Sequence, residues 1–277
     1  MTVSTDLEWV LSCPSLLNVS SQPELLDGAA WLADLREEFN FLNSHVDPDI
    51  ETPRRLGFYY ENLLEYLFNK SSQVSDIKRN IQIKNDKNTL GELDFIGRYS
   101  GSAFHLECAV KFYLRVGTGS KLSDFIGPGK ADRLDLKYHR IIHHQLPIDA
   151  HPMAQTTLAS HNLVVHQRVL LMQGYLFHPW EGGCPAELAA EINPDHWQGW
   201  WLRQTDVQKL CETDSDLQFM PLQKPFWLAV KGEESFGMAG LRSWLETVTR
   251  PVLVSRGDFR GNHWVEKDRG FIVPDHW

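Results

Sequence analysis

Apolar residues recur at three- and four-residue spacing early in the chain. Trp31, Leu32, Leu35, Phe39 and Leu42 fall on one face of a predicted helix. Ser21-Gln22-Pro23-Glu24 has the early Pro and acid of a helix start, and the acidic loop His45-Val46-Asp47-Pro48-Asp49 ends the segment. A second helix is predicted from about Arg55 to Asn69, with Leu56, Tyr59, Tyr60, Leu63, Leu64 and Leu67 as its buried stripe. Glu61 and Glu65 share a face beside that stripe. Taken alone, such a pair reads as two solvated carboxylates.

The period then shortens to two. Ile81 and Ile83 alternate with polar residues, as does Ile77 before them, and Asn85-Asp86-Lys87-Asn88 supplies turn chemistry. A second strand, Gly91 to Tyr99, therefore returns antiparallel, and the tight turn Ser100-Gly101-Ser102 leads into a third, Ala103 to Leu114. Gly117 to Gly129 is glycine-rich but lacks the GxxxxGK[ST] spacing of a phosphate loop, so it reads as a plain loop. Ala131 to Leu146 is predicted helical, with Leu134, Tyr138, Ile141 and Ile142 inward and Lys137, Arg140, His144 and Gln145 along one edge. Arg168 to Phe177 is apolar on both faces, as an interior strand is. Farther on, Phe226 to Lys231 reads as a strand, Met238 to Val248 as a helix, and Phe271 to Pro274 as an edge strand.

This order predicts an α+β protein with a mixed central sheet flanked by helices. Its segments are an N-terminal helical part (1–50), a core (51–180) and a C-terminal elaboration continuous with the core (181–277).

Composition narrows the class. The chain is 42% hydrophobic and 23% charged, with ten Trp and 14 Phe, enough for a sizeable core. No apolar run reaches the roughly 18 residues of a membrane span. Met1 to Glu8 carries Asp6 and Glu8 rather than a basic and then apolar stretch. The expectation is a cytoplasmic protein with no signal peptide and no membrane partner. Cys13, Cys108, Cys184 and Cys211 form no CxxC pair, so free thiols are expected rather than a zinc knuckle. The net charge of −9 argues against a uniformly basic nucleic-acid binder. Residues 97–145 depart from that average, with eight Lys or Arg against four acids. Such a basic island fits a phosphate-binding face or one end of an ordinary surface dipole.

The chemistry worth pursuing is an acid on each of two adjacent strands. Asp94 and Glu107 are separated by a strand, a turn and a return, a distance that permits cross-strand neighbours. Two carboxylates on one sheet face are costly unless a cation compensates them, and hard oxygen ligands select Mg²⁺ or Mn²⁺. Lys111 lies four residues beyond Glu107 on the same strand face, roughly 13 Å away, with Ala109 between them. The plain alternative is a strand that ends in a Lys paired with a surface acid. His105, two residues before Glu107, opens a further option, a His/Glu metal site. No HExxH spacing accompanies it, so most of the 12 histidines read as surface or loop residues.

Taken together, these elements resemble the PD-(D/E)XK (restriction-endonuclease-like) nuclease superfamily. The likeness rests on a helix with Glu61, then Gly91-Glu92-Leu93-Asp94-Phe95-Ile96, then His105-Leu106-Glu107-Cys108-Ala109-Val110-Lys111-Phe112, then a helix with Lys137 and Gln145. It extends from about Arg55 to Phe177. The sequence looks most like a bacterial domain-of-unknown-function family placed in that superfamily by fold. The resemblance implies that Asp94, Glu107 and the backbone carbonyl of Cys108 bind metal, with Glu61 completing the shell. It also implies Lys111 as catalytic lysine and Lys137 or Gln145 on the substrate phosphate. The expected activity is Mg²⁺-assisted hydrolysis of a phosphodiester, in DNA ahead of RNA. The pattern departs at one place, since the usual lysine stands two residues after the Glu, where this chain has Ala109. Two rivals stay open: a catalytically inactive module of the same fold that binds nucleic acid or protein, and a small-molecule metalloenzyme using His105 and Glu107.

Overall fold

The computed structural model describes residues 3–39, 49–86, 88–211, 217–232, 234–261 and 263–277. Leu42, the loop from His45 to Pro48, Lys87 and the side chain of Cys211 lie outside the described residues. Helices are α1 (Val3–Ser12), α2 (Gly28–Arg36), α3 (Leu56–Lys70), α4 (Leu134–Arg140), α5 (Pro152–Ser160) and α6 (Met238–Leu245). Strands are β1 (Leu25–Asp27), β2 (Val74–Lys84), β3 (Thr89–Tyr99), β4 (Ser102–Arg115), β5 (Phe125–Ile126), β6 (Gln167–Pro179), β7 (Gln198–Arg203), β8 (Gln218–Leu222), β9 (Val252–Arg260) and β10 (His263–Val273). The fold is α+β, a large mixed sheet flanked by helices. Among the described residues, no helix is long and apolar enough to cross a membrane.

One sheet runs β2-β3-β4-β6-β7-β10-β9-β8, with β1 paired to β6 and β5 to β4 off that path. Its centre, β4 through β10, is parallel, and antiparallel strands extend it on both sides. The alternation along β4 decides which helices cover which face. Phe104, Leu106, Cys108, Phe112 and Leu114 enter the core formed with α1, α2 and α3, where Tyr59, Tyr60, Leu63, Leu64, Leu67 and Phe68 are buried. Ala109 and Tyr113 point the other way, into a cluster with Leu134, Ile141 and Leu146. His105, Glu107 and Lys111 share that second face by the same alternation.

The sequence reading needs correction at four places. Leu25–Asp27 extends as a strand beside Arg168–Leu170, and the helix expected to start near Pro23 begins only at Gly28, where the Asp27 carboxylate caps it by accepting from the Ala29 N–H at 3.0 Å. The helix predicted to Leu146 stops being α-helical at Arg140, widens to a π-turn over Ile141–Gln145 and tightens to a 3₁₀ turn over Leu146–Ala150. Phe226–Lys231 is not a strand, because side chains satisfy its backbone. Arg269 Nη1 donates to the Trp227 and Leu228 carbonyls at 2.8 Å each, and the Ala229 N–H donates to Asp6 at 3.0 Å. The final strand is interior rather than edge, since β10 sits between β7 and β9. Cys13, Cys108 and Cys184 are free thiols.

The β4–β6 pairing, registered from Phe104–Gln167 to Leu114–Phe177, forms the spine of the sheet. It demands a glycine at one point. Gly174 lies opposite Lys111 at a φ of 138°, and a Cβ there would sit 1.8 Å from the Lys111 carbonyl oxygen. Gly174→Ala should therefore cost about 3 kcal/mol or more, from strain plus overpacking. The expected fall in Tm is roughly 6–12 °C by thermal denaturation, and an unchanged Tm would refute this packing.

Candidate active site: an acid pair where two strands part

The β3–β4 ladder ends at Phe95–Leu106. Asp94 and Glu107 are the next positions on their strands, so the acid pair stands where regular pairing stops. There the Asp94 carboxylate substitutes for a backbone acceptor, its Oδ2 taking the Cys108 N–H at 3.0 Å. Glu107 is fully buried, at 0% exposure. A carboxylate so placed needs donors on both oxygens, and it has them. His105 Nε2 lies 2.9 Å from Oε1, and Gln145 Nε2 donates to Oε2 at 2.6 Å. The π-turn carries Gln145, and Lys137, two turns earlier on α4, donates to Gln145 Oε1 at 3.1 Å. Widened helical turns of this kind are frequent at functional sites.

Behind Glu107 the network continues. The other ring nitrogen of His105 faces Asp149 Oδ2 at 3.5 Å, and Arg168 holds Asp149 through Nε at 2.9 Å and Nη2 at 2.5 Å. The parallel register places Arg168 directly opposite His105. Buried, with Nε2 against Glu107 and Nδ1 3.5 Å from Asp149 but making no hydrogen bond among the described residues, His105 braces Glu107.

The electrostatics follow from burial and like charge. Burial, then the neighbouring Glu107, pushes the Asp94 carboxyl up to about 7, against the Cys108 N–H and Lys137, which favour its ionised form. Burial also raises Glu61, which Asn80 and Arg79 partly offset. For His105, burial alone would lower the pKa, but Asp149 and Glu107 outweigh it and bring it to about 9. Burial and Lys111 lower the Lys137 ammonium, despite the attraction of Asp94 and Glu107.

Asp94, Glu107, Lys137 and Gln145 thus come together. Glu61 accepts from Asn80 Nδ2 at 3.2 Å and lies close enough for its charge to raise Asp94 and for Glu107 to raise it in turn. Lys111 does not lean back toward Glu107; its ammonium pairs with Asp132 at 2.5 Å. Among the described residues, no three His, Cys, Asp or Glu side chains are gathered to hold a metal ion. The two acids alone still suit Mg²⁺, which commonly takes one or two carboxylates and keeps several waters. An ionised carboxylate has about four acceptor sites, so the contacts named here leave capacity on both Asp94 and Glu107.

Beside the acids opens a cleft of about 520 Å³, lined in part by Cys108, Lys111 and Lys137 and by three cations outside the predicted basic island, Arg54, Arg55 and Lys224. The island itself is dispersed. Arg98 pairs with Asp76, Arg133 pairs with Asp135, and buried Arg115 bonds His178. Arg54-Arg55, just before a helix, was a visible signal; Lys224, Asp149 and Arg168 carry none, since only the tertiary fold brings them near.

A family model described as Domain of unknown function (DUF1853) matches residues 5–273. No curated protein and no solved structure matches the chain.

The raised Asp94 pKa fixes the sign of a pH effect. In the unfolded chain Asp94 loses its proton near 3.8, whereas the folded protein holds it to about 7. The native state binds more protons across that window, so stability falls as pH rises through it. In metal-free protein, Asp94→Asn should raise Tm by roughly 5 °C at pH 8, a gain that fades toward pH 4. A difference constant with pH would show that Asp94 is ionised throughout.

Proposed function

The chain belongs to the DUF1853 family, and we propose that it is a metal-dependent phosphodiesterase of the restriction-endonuclease-like type, acting on nucleic acid, DNA ahead of RNA. The observation that carries this reading is the juxtaposition of Asp94 and Glu107 at the end of the β3–β4 ladder, next to the cationic cleft. The element order supports it. Helix α3 with Glu61, then β2, β3 with Asp94, β4 with Glu107, and α4 followed by parallel β6 is the core order of that superfamily.

In this reading Asp94 and Glu107, with the Cys108 carbonyl, hold Mg²⁺ or Mn²⁺. Bound there, the ion would supply a water of lowered pKa and neutralise charge on the phosphate. The chain's own residues divide the remaining work. His105 and Gln145 fix the Glu107 carboxylate in one orientation. Lys137, tied to Gln145 and drawn toward both acids, takes the role expected of Lys111, stabilising the charge that develops on phosphorus. Lys111, paired with Asp132 in the cleft wall, positions the substrate backbone instead. The small-molecule reading built on His105 is less favoured, because Nε2 is engaged by Glu107 and the ring is fully buried.

Titration calorimetry with Mn²⁺ is expected to give binding to the wild type and at least a tenfold weaker signal with Asp94→Ala; equal binding to both would end the metal assignment. With Mg²⁺ present, Lys137→Ala should lower cleavage of a DNA substrate by about 10²-fold or more, and Lys111→Ala by less than tenfold. The reverse ranking would return the catalytic role to Lys111. Metal binding without turnover of any nucleic acid would favour the binding-module reading.

A further inference from the structure

The cleft has more positive charge than its own acids can balance. Lys111 has Asp132 as partner. Arg54, Arg55, Lys137 and Lys224 have no ion-pair partner among the described residues. Lys224 also feels the charge of Lys111, which together with partial burial disfavours its ammonium form. Like charges held this close are stabilised by an anion that contacts several of them at once, as a polynucleotide backbone does.

Aromatic rings accompany these cations. The Arg55 guanidinium lies 5.8 Å from the Phe58 ring centroid and the Lys224 ammonium 4.3 Å from that of Trp227, while in the adjoining hollow Lys231, paired with Asp6, lies 5.5 Å from that of Phe226. Phe58 is 49% exposed and Phe226 36% exposed. Among the described residues only Phe259 is a further exposed aromatic of this kind, so two of three flank the same groove. Phe58 follows Gly57 of the cleft wall, and Phe226 lines an adjoining hollow of about 670 Å³ that shares Lys224 and Trp227 with the cleft. A cationic groove edged by exposed rings is how proteins hold unpaired polynucleotides, whose base faces are free to stack. In a duplex those faces are already covered by neighbouring bases. The cleft volume is also that of a small-ligand pocket, suited to about one or two nucleotides, whereas the major groove of a duplex alone is about 12 Å wide.

We propose that this groove binds single-stranded nucleic acid, with the backbone on Arg54, Arg55, Lys111 and Lys224 and bases stacked on Phe58 and Phe226. The inference rests on the phosphodiesterase reading for its purpose, but its test is binding alone. Full-length protein in EDTA is titrated into fluorescein-labelled single-stranded and duplex 20-mers of DNA, and into a single-stranded RNA 20-mer, with anisotropy as readout. Both single strands should bind at least tenfold tighter than duplex. The paired substitution Arg55→Glu and Lys224→Glu should weaken single-strand binding by more than tenfold and reduce the slope of log K against log salt by about 1–2. Phe58→Ala and Phe226→Ala should each weaken it roughly 5- to 150-fold while leaving that slope unchanged, as expected for lost stacking. Thermal melts establish that each variant is folded.

Duplex binding as tight as single-strand binding, or unaltered affinity in both Phe variants, would overturn the inference. The two proposals fail separately. Single-strand binding that persists in Asp94→Asn, with no cleavage by wild type, sinks the phosphodiesterase reading and leaves this one standing. Cleavage of duplex as fast as single strands does the opposite.

Discussion

The burial of one carboxylate, that of Glu107 in the middle of the sheet, dictates most of what surrounds it. A buried ionised carboxylate survives only with donors on its oxygens and compensating charge nearby. The protein draws those donors from opposite directions, His105 from the same strand and Gln145 from the turn after α4. Each donor then needs its own support. Gln145 is reached through a π-turn that ends regular α-helix at Arg140, and His105 must face Asp149, which in turn needs Arg168. Removing the Gln145 or His105 contact would leave an uncompensated oxygen, so the irregular chain between Arg140 and Ala150 is stabilised by what it does for Glu107.

The same constraint ties the site to the sheet. Arg168 comes opposite His105 only because β6 runs parallel to β4 in one fixed register, and that register requires Gly174 opposite Lys111. The strand that carries the acid therefore also fixes where the lysine goes. With the Lys111 carbonyl pressed against Gly174, its side chain lies over the cleft, within reach of Asp132 rather than of Glu107. The ammonium near the acids comes instead from α4, where Lys137 arrives by way of Gln145. Under the proposed function, the role expected of Lys111 thus falls to the lysine that a neighbouring helix places nearer the acids.

What was legible in the sequence follows from the range of the interactions involved. The β3–β4 hairpin was readable because alternation and the Ser100-Gly101-Ser102 turn are local, and its register alone brings Asp94 and Glu107 to corresponding positions. The interior character of β6 was readable from apolar bulk on both faces. The Asp149–Arg168 brace was not, since its members meet His105 only through the turn after α4 and a parallel crossover. Nor was the irregular course of Phe226–Lys231. Its apolar residues fit a strand, but its backbone partners are the distant side chains of Asp6 and Arg269. Helix α5 was missed because its start rests on His151 and Pro152, with His151 Nδ1 accepting from the Met153 N–H at 3.2 Å, a cap outside the usual Ser, Thr, Asp and Asn set.

The polyanionic substrate proposed for this protein would face an obstacle, because the groove lies beside two acids in a chain of net charge −9. Interactions beyond about 10 Å are largely screened in physiological salt, so the acidic total matters less than the charges within the groove. Arg54, Arg55 and Lys224 stand at the cleft, outside the buried Glu107, and in the proposed reading would meet the backbone first. Lys137 is the cation that also reaches inward, lining the cleft while tied through Gln145 to Glu107. That position would make it, in the proposed function, the junction between binding and chemistry, where a phosphate held by the outer cations would come against the acids. In the proposed reading the cations supply affinity and the acids supply the site for a metal ion. Lys137 feels both sides, since burial and Lys111 disfavour its ammonium while Asp94 and Glu107 favour it, so in the proposed reading neutralising either side would shift its charge balance.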